Sequence, residues 1–167
     1  MQIPMRSICT DYLQRSAEMT DDKMIITPPL YMVGIKTPCW RCGAKMTVIG
    51  LLAPDVKGVH PEVAMLSNIE DIPKEVLSLI QKRVPTFMLK YSKTIREKYY
   101  ANTCPKCKVI YGDFFLHGEP DSPLFPTSED EARTLYVTEI PLSKPTAMRA
   151  HCGVGIGDLI LKYAKKI

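Results

Sequence analysis

The sequence predicts an α+β fold, rich in β-strand, with a helix-plus-hairpin insertion between two metal-binding turns and a helix near the C-terminal end. Three observations carry this. Two Cys-x2-Cys pairs, Cys39/Cys42 and Cys104/Cys107, each follow directly on an extended-type run. Fourteen prolines and nine glycines cut the 167 residues into short segments. Two stretches, 72–83 and 156–164, space their apolar residues as a helix would.

Length and composition set the frame. A chain of 167 residues fits one domain, and 46% hydrophobic with 24% charged residues gives a globular chain able to bury a core. No run of about eighteen apolar residues occurs, so no transmembrane helix is expected. Residues 1–22 lack an apolar segment followed by a small-residue cleavage site, so no secretory signal is expected. With no signal and paired cysteines, a reducing cytoplasm is the expected compartment and no membrane partner is implied. Cys9 and Cys152 stand alone and are expected as free thiols, small and apolar when buried.

The elements follow in order. Residues 1–28 read as a peripheral segment, with Thr10 capping a short helix and Pro28-Pro29 enforcing extended backbone. Leu30–Lys36 and Lys45–Ala53 are strands on either side of the first cysteine pair. The insertion, 54–100, opens with a Pro/Gly loop. A helix over 72–83 carries Val76, Leu77 and Ile80, with Pro73 and Glu75 in its first turn and Lys82-Arg83 at its negative end. Phe87–Tyr91 and Ile95–Ala101 form a hairpin around Ser92-Lys93-Thr94, leading into Cys104. Val109–Leu116 is a further strand, bulged at Gly112. A polar, proline-rich loop runs to Asp130, with a helical turn at Glu129–Ala132. In the C-terminal part, 121–167, come a strand at Leu135–Ile140 and a helix at Ile156–Ala164.

The cysteine pairs are the most specific feature. A C-x2-C turn aims two thiolates at one ion, and two such turns supply the four sulfurs of a tetrahedral zinc site. Cys39, Cys42, Cys104 and Cys107 are therefore the candidate ligands of a single Zn2+. Four thiolates leave no coordination position for water, so the ion is expected to be structural. Arg41, Lys45, Lys106 and Lys108 flank the sulfurs and can offset the negative charge of a zinc tetrathiolate. Gly43 suits the left-handed position that follows the second cysteine of such a turn.

These residues carry a resemblance. Cys39-Trp-Arg-Cys42-Gly43 and Thr103-Cys104-Pro-Lys-Cys107 resemble the two rubredoxin-type knuckles of the zinc ribbon family. The second departs at Lys108, where the family has Gly, and a less regular turn is expected there. Cys104-Pro-Lys-Cys107, then Gly112-Asp-Phe-Phe-Leu-His117, with Tyr91-Ser-Lys-Thr94 upstream, is also similar to a group of small bacterial zinc-ribbon proteins. The resemblance covers 36–120. It implies a ribbon with a long insertion, a bacterial source and no particular activity.

A rival metal reading uses His60-Pro61-Glu62, which fits the H-x-E pattern of zinc deaminases. His60, Cys104 and Cys107 would then bind zinc, and Glu62 would move protons. Against it, Pro105 follows the first cysteine rather than preceding it, H-x-E sits in a loop, and Cys39/Cys42 would have no task. Three smaller clusters have ordinary structural explanations. Asp113, His117 and Glu119 fit a polar strand end, Gly153-x-Gly155-x-Gly157 fits a linker, and His151-Cys152 are mere neighbours in a loop.

Charge is unevenly placed. From Lys82 to Lys108 there are eight bases (Lys82, Arg83, Lys90, Lys93, Arg96, Lys98, Lys106, Lys108) and one acid, Glu97. From Asp113 to Glu139 there are seven acids and one base, Arg133. The basic segment is interleaved with Phe87, Tyr91, Tyr99 and Tyr100, the combination that binds phosphates and unpaired bases. Strand alternation offers the plainer account, aromatics inward and lysines outward. The expected function is that of a zinc-stabilised, non-enzymatic interaction module. Its partner, protein or nucleic acid, would be met on Lys82, Arg83, Lys90, Lys93, Arg96, Lys98 and Tyr99; its oligomeric state is left open.

Overall fold

The computed structural model describes residues 23–58 and 62–167; Cys9, the Thr10 helix and His60 lie outside them. In chain order the strands are β1 (Met24–Thr27), β2 (Leu30–Pro38), β3 (Lys45–Ala53), β4 (Asp55–Val56) and β5 (Ala64–Asp71). Helix α1 (Lys74–Arg83) precedes the hairpin β6 (Phe87–Ser92) and β7 (Glu97–Thr103). Then come β8 (Ile110–Tyr111), α2 (Asp113–His117), α3 (Glu129–Ala132), β9 (Tyr136–Ile140), β10 (Thr146–Gly153), α4 (Gly157–Tyr163) and β11 (Lys165–Lys166). The fold is mixed α+β, strand-rich, with small helices and open sheets.

Eight strands form one sheet in the order β11-β9-β2-β3-β5-β10-β1-β4, and β6-β7-β8 form a second. Both edge strands of the large sheet are two residues long, and short edges present little unpaired backbone to another chain. Strand β3 lies in its interior and is buried on both faces. Ile49, Leu51 and Ala53 enter one core, while Met46, Val48 and Leu52 enter the other. The two-residue period of a strand explains the split, and burial on both faces explains why the segment is a nearly continuous apolar run.

One helix closes each core. Val76 and Ile80 of α1 pack with Leu30, Met32 and Phe87 in the first. Ile156, Ile160 and Ala164 pack with Val33, Val137 and the buried Cys39 and Cys104 in the second. Helix α4 approaches the sheet so closely that a Cβ on Gly157 would lie 2.6 Å from Val63 Cγ1 and 2.7 Å from its carbonyl oxygen. The glycine is therefore required by contact, beyond any role as a linker.

Several expectations change. Met24–Thr27 are not peripheral; Ile26 is fully buried and β1 pairs with β10 and β4. Strands β5 and β10 arise where no strand was expected, their regular alternation broken by the shift in pairing between Arg149 and His151. The strand expected over 109–116 stops after Tyr111. Gly112 caps a helix there, which carries Leu116 and His117 into the interior. Cys152 is disulfide-bonded rather than free, which removes it as a nucleophile beside His151. Strands 24–27, 30–38 and 45–53, α1 and the 136–140 strand otherwise sit within the one large sheet or against it.

The small sheet lies over β5 and β3, and Asn102 of β7 joins them. Its carboxamide accepts from Ile49 N at 2.8 Å and donates to Ile49 O at 2.9 Å, in the manner of a strand partner. Asn102 is fully buried, so both Ile49 groups depend on it. Asn102→Leu would orphan two buried backbone groups at about 1–3 kcal/mol each. The expected loss of stability is about 2–6 kcal/mol in urea unfolding; a loss under about 1 kcal/mol would mean that apolar packing alone joins the sheets.

Candidate metal centre

Each cysteine pair closes an antiparallel hairpin. The first lies between β2 and β3, the second between β7 and β8. Both turns have the same backbone bonds. Cys39 N donates to Ala44 O (2.8 Å) and Gly43 N to Cys39 O (2.9 Å). Cys104 N donates to Val109 O (2.9 Å) and Lys108 N to Cys104 O (3.0 Å). The residue after the second cysteine is left-handed in both, with φ +74° at Gly43 and +63° at Lys108. The second turn is thus as regular as the first, contrary to expectation. Lys108 accepts the strained backbone while its Nζ donates to Pro105 O at 2.8 Å, across the turn.

The four sulfurs lie within 4.8 Å of one another. Cys39 Sγ is 3.7 Å from Cys107 Sγ, and Cys42 Sγ is 3.6 Å from Cys104 Sγ. A tetrahedron with metal–sulfur bonds of about 2.3 Å has edges of about 3.8 Å. The arrangement therefore fits a metal tetrathiolate, each contact pairing a cysteine of one turn with one of the other. Cys39 and Cys104 are buried and Cys42 is exposed, so the site is open to solvent on one side. Arg41, Lys45, Lys106 and Lys108 are all exposed around it.

Backbone amides prepare the thiols. The Cys107 N–H is the main cause holding the Cys104 thiol down to about 6, and the Cys42 N–H the main one lowering Cys39. At Cys107 the Val109 N–H also pulls down. Burial and the bonds with the other three thiols outweigh it and push that thiol up to about 11. Thiolate character is thus uneven among the four, and a divalent ion bound here would displace the remaining protons.

Among the described residues, the cysteines of the rival deaminase reading meet other cysteines and not its Glu62. Cys104 and Cys107 face Cys39 and Cys42, Glu62 is exposed, and His60 lies outside the described residues. In the 113–119 cluster, Asp113 and His117 are buried while Glu119 is exposed. Asp113 Oδ2 accepts from Asn68 N at 2.8 Å, tying α2 to β5 where Asn68 is itself left-handed (φ +46°). Tyr99, expected on the exposed face, is 3% exposed and turns inward; its phenol is pushed up to about 12 by burial and then by the Asp113 carboxyl. A narrow cleft beside Asp113 and His117 holds about 10 Å³, at the limit for a single water. Asn102 escaped detection in the sequence because one buried polar residue has no periodic signature.

Compared with known protein families, curated proteins and solved structures, the chain matches none.

The buried pair makes a distinctive pH prediction. Burial raises Asp113 from 3.8 to about 7 and lowers His117 from 6.5 to about 4, so both are neutral when folded between those limits. Asp113 alone would make stability fall as pH rises from about 4 to about 7, because the folded state binds the extra proton. His117 alone would make it rise from about 4 to about 6.5. The two cancel over their shared window. Relative to the parent, His117→Gln is expected to expose the falling limb and Asp113→Asn the rising one, each at up to about 1.4 kcal/mol per pH unit. Parallel pH profiles for all three proteins would refute this.

Proposed function

We propose that the protein is a zinc-stabilised, non-enzymatic binding module related in design to zinc ribbons. The observation that carries this reading is the mutual approach of four thiols from two hairpin turns, at spacings suited to one tetrahedral ion. Tetrahedral sulfur sites suit zinc or iron; zinc agrees with a purely structural role, since it undergoes no redox change. Cys39, Cys42, Cys104 and Cys107 would hold it. With four sulfur ligands no open position remains for a reacting water, so the ion's contribution is to folding. Thiols must stay reduced to hold an ion, so this reading places the protein in a bacterial cytoplasm; the Cys152 disulfide is the feature that opposes it.

The binding face in this reading is the basic hairpin β6–β7 with the end of α1. Lys82, Arg83, Lys93, Arg96 and Lys98 are exposed and Lys90 is half-buried. Among the described residues, the ion pairs are Lys23–Asp71 and those of Arg133 with Glu129 and Asp130. The acidic segment is thus held by Arg133 and by Tyr163, whose hydroxyl donates to Glu129 at 2.6 Å, and not by the hairpin. The hairpin's positive charge remains available to a partner, protein or nucleic acid.

Elemental analysis of the purified protein is expected to give one zinc per chain and no iron. Cys42→Ser, at the exposed ligand, should lose the metal, whereas His60→Ala should keep it. Structural zinc is worth about 10–16 kcal/mol in small zinc-binding peptides. Even a third of that would lower the melting temperature by roughly 10 °C or more in a domain of this size. Retention of one zinc by Cys42→Ser together with its loss from His60→Ala would replace this reading with the hydrolytic one.

A further inference from the structure

We propose that the distal end of the β6–β7 hairpin, on the face that carries Tyr91, binds single-stranded nucleic acid, with Tyr91 as a stacking platform and Lys93, Arg96 and Lys98 tracking the phosphates. The inference rests on the reading of this hairpin as the binding face. Residues paired across two antiparallel strands share a face. Here the pairs Phe87–Asn102, Leu89–Tyr100 and Tyr91–Lys98 line one side in that order, from the core outward. Phe87 and Asn102 are buried, Tyr100 is half-buried, and Leu89, Tyr91 and Lys98 are exposed. Tyr91 is 54% exposed, which is unusual for an aromatic within a regular strand. The plain expectation that the hairpin sends its aromatics inward therefore holds for Phe87 and Tyr99 but fails at Tyr91.

Tyr100 is already supported from beneath. Its ring lies 6.1 Å from Phe87, 26° from parallel. Tyr91 and Tyr100 are diagonal neighbours, a relation that sets side chains about 7–8 Å apart. Stacked bases along one duplex strand repeat at about 3.4 Å. Side chains twice as far apart cannot enter a regular stack side by side, but they can each receive a base splayed from an unpaired strand. Cations complete the surface. Lys98 stands directly beside Tyr91, and Lys93 and Arg96 occupy the exposed turn. Glu97 pairs with Ser92 on the opposite face, so the hairpin's single acid points away from the platform. An acidic peptide would be met by the cations alone and would leave Tyr91 without a task.

The test is fluorescence anisotropy of the zinc-loaded, full-length protein with a labelled uridine 12-mer. A DNA duplex of equal length and a polyglutamate peptide serve as the other two arms. With three phosphate contacts, the logarithmic salt slope is expected near −2, so affinity falls roughly 20-fold between 50 and 200 mM salt. Lys93→Ala/Lys98→Ala should reduce the slope to about −0.7. Tyr91→Ala should weaken binding by about fivefold or more while leaving the slope unchanged, because stacking releases no counterions. Both sites are exposed, and unchanged zinc content would show that the variants fold. Equal binding of polyglutamate or duplex, or no effect of Tyr91→Ala, would overturn the nucleic-acid inference and leave the basic face standing. Absence of binding to any polyanion at 50 mM salt would overturn both.

Discussion

Four sulfur atoms from two distant turns must meet within one coordination radius, and the architecture is arranged to let them. Cys42 and Cys104 are separated by 61 residues, which hold β4, β5, α1 and the β6–β7 hairpin. Bringing their ends together costs chain entropy that grows only slowly with loop length. The cost is therefore easily offset, provided that the two hairpins arrive in register. Each arrives already shaped: the turns carry matching backbone bonds and matching left-handed residues, so little reorganisation is left for ion binding.

Register is secured by polar contacts deep in the protein. Asn102 lies two residues before Cys104, and its carboxamide engages the backbone of Ile49, a few residues beyond the first turn. A slip of one residue in β7 would turn that carboxamide to the other face. Asp113 makes a second tie, from α2 to the irregular part of β5. These contacts are few, yet those of Asn102 hold buried backbone groups, and an error there is more costly than the loss of one apolar contact. Neutral Asp113 and neutral His117 belong to the same economy of charge, since either ion would be poorly solvated where it lies.

The surface is organised by what the interior leaves over. Helices α1 and α4 use their apolar stripes on the two cores. The acidic segment folds onto itself, with Ser128 capping α3 and Arg133 and Tyr163 holding Glu129. The distal half of β6–β7 reaches past both cores, and its basic and aromatic residues meet no counter-charge within the described chain. The cysteine turn and the exposed hairpin tip are linked by β7, which begins at the exposed turn and runs directly into Cys104.

Much of this was legible in the sequence. The C-x2-C spacing identified the four thiols because a tight turn fixes ligand geometry locally. Lys45–Ala53 and the helix at 72–83 were legible because burial on both faces and helical spacing are periodic signals. The Tyr136–Ile140 strand was bounded by prolines. Strands β1, β4, β5 and β10 were missed, being short, irregular or interrupted, and stabilised by neighbours rather than by their own pattern. The strand expected over 109–116 rested on its aromatics; from Asp113 the backbone is helical instead, burying Asp113, Leu116 and His117 and leaving Phe114 and Phe115 exposed. By itself, then, the sequence determined which residues can bind the ion and which segments are apolar enough to be central. Only the tertiary structure decided that Tyr99 turns inward while Tyr91 turns out, that Asn102 substitutes for a strand, and that Asp113 and His117 are buried together. Those outcomes depend on which surfaces meet across long separations, and no local periodicity encodes that meeting.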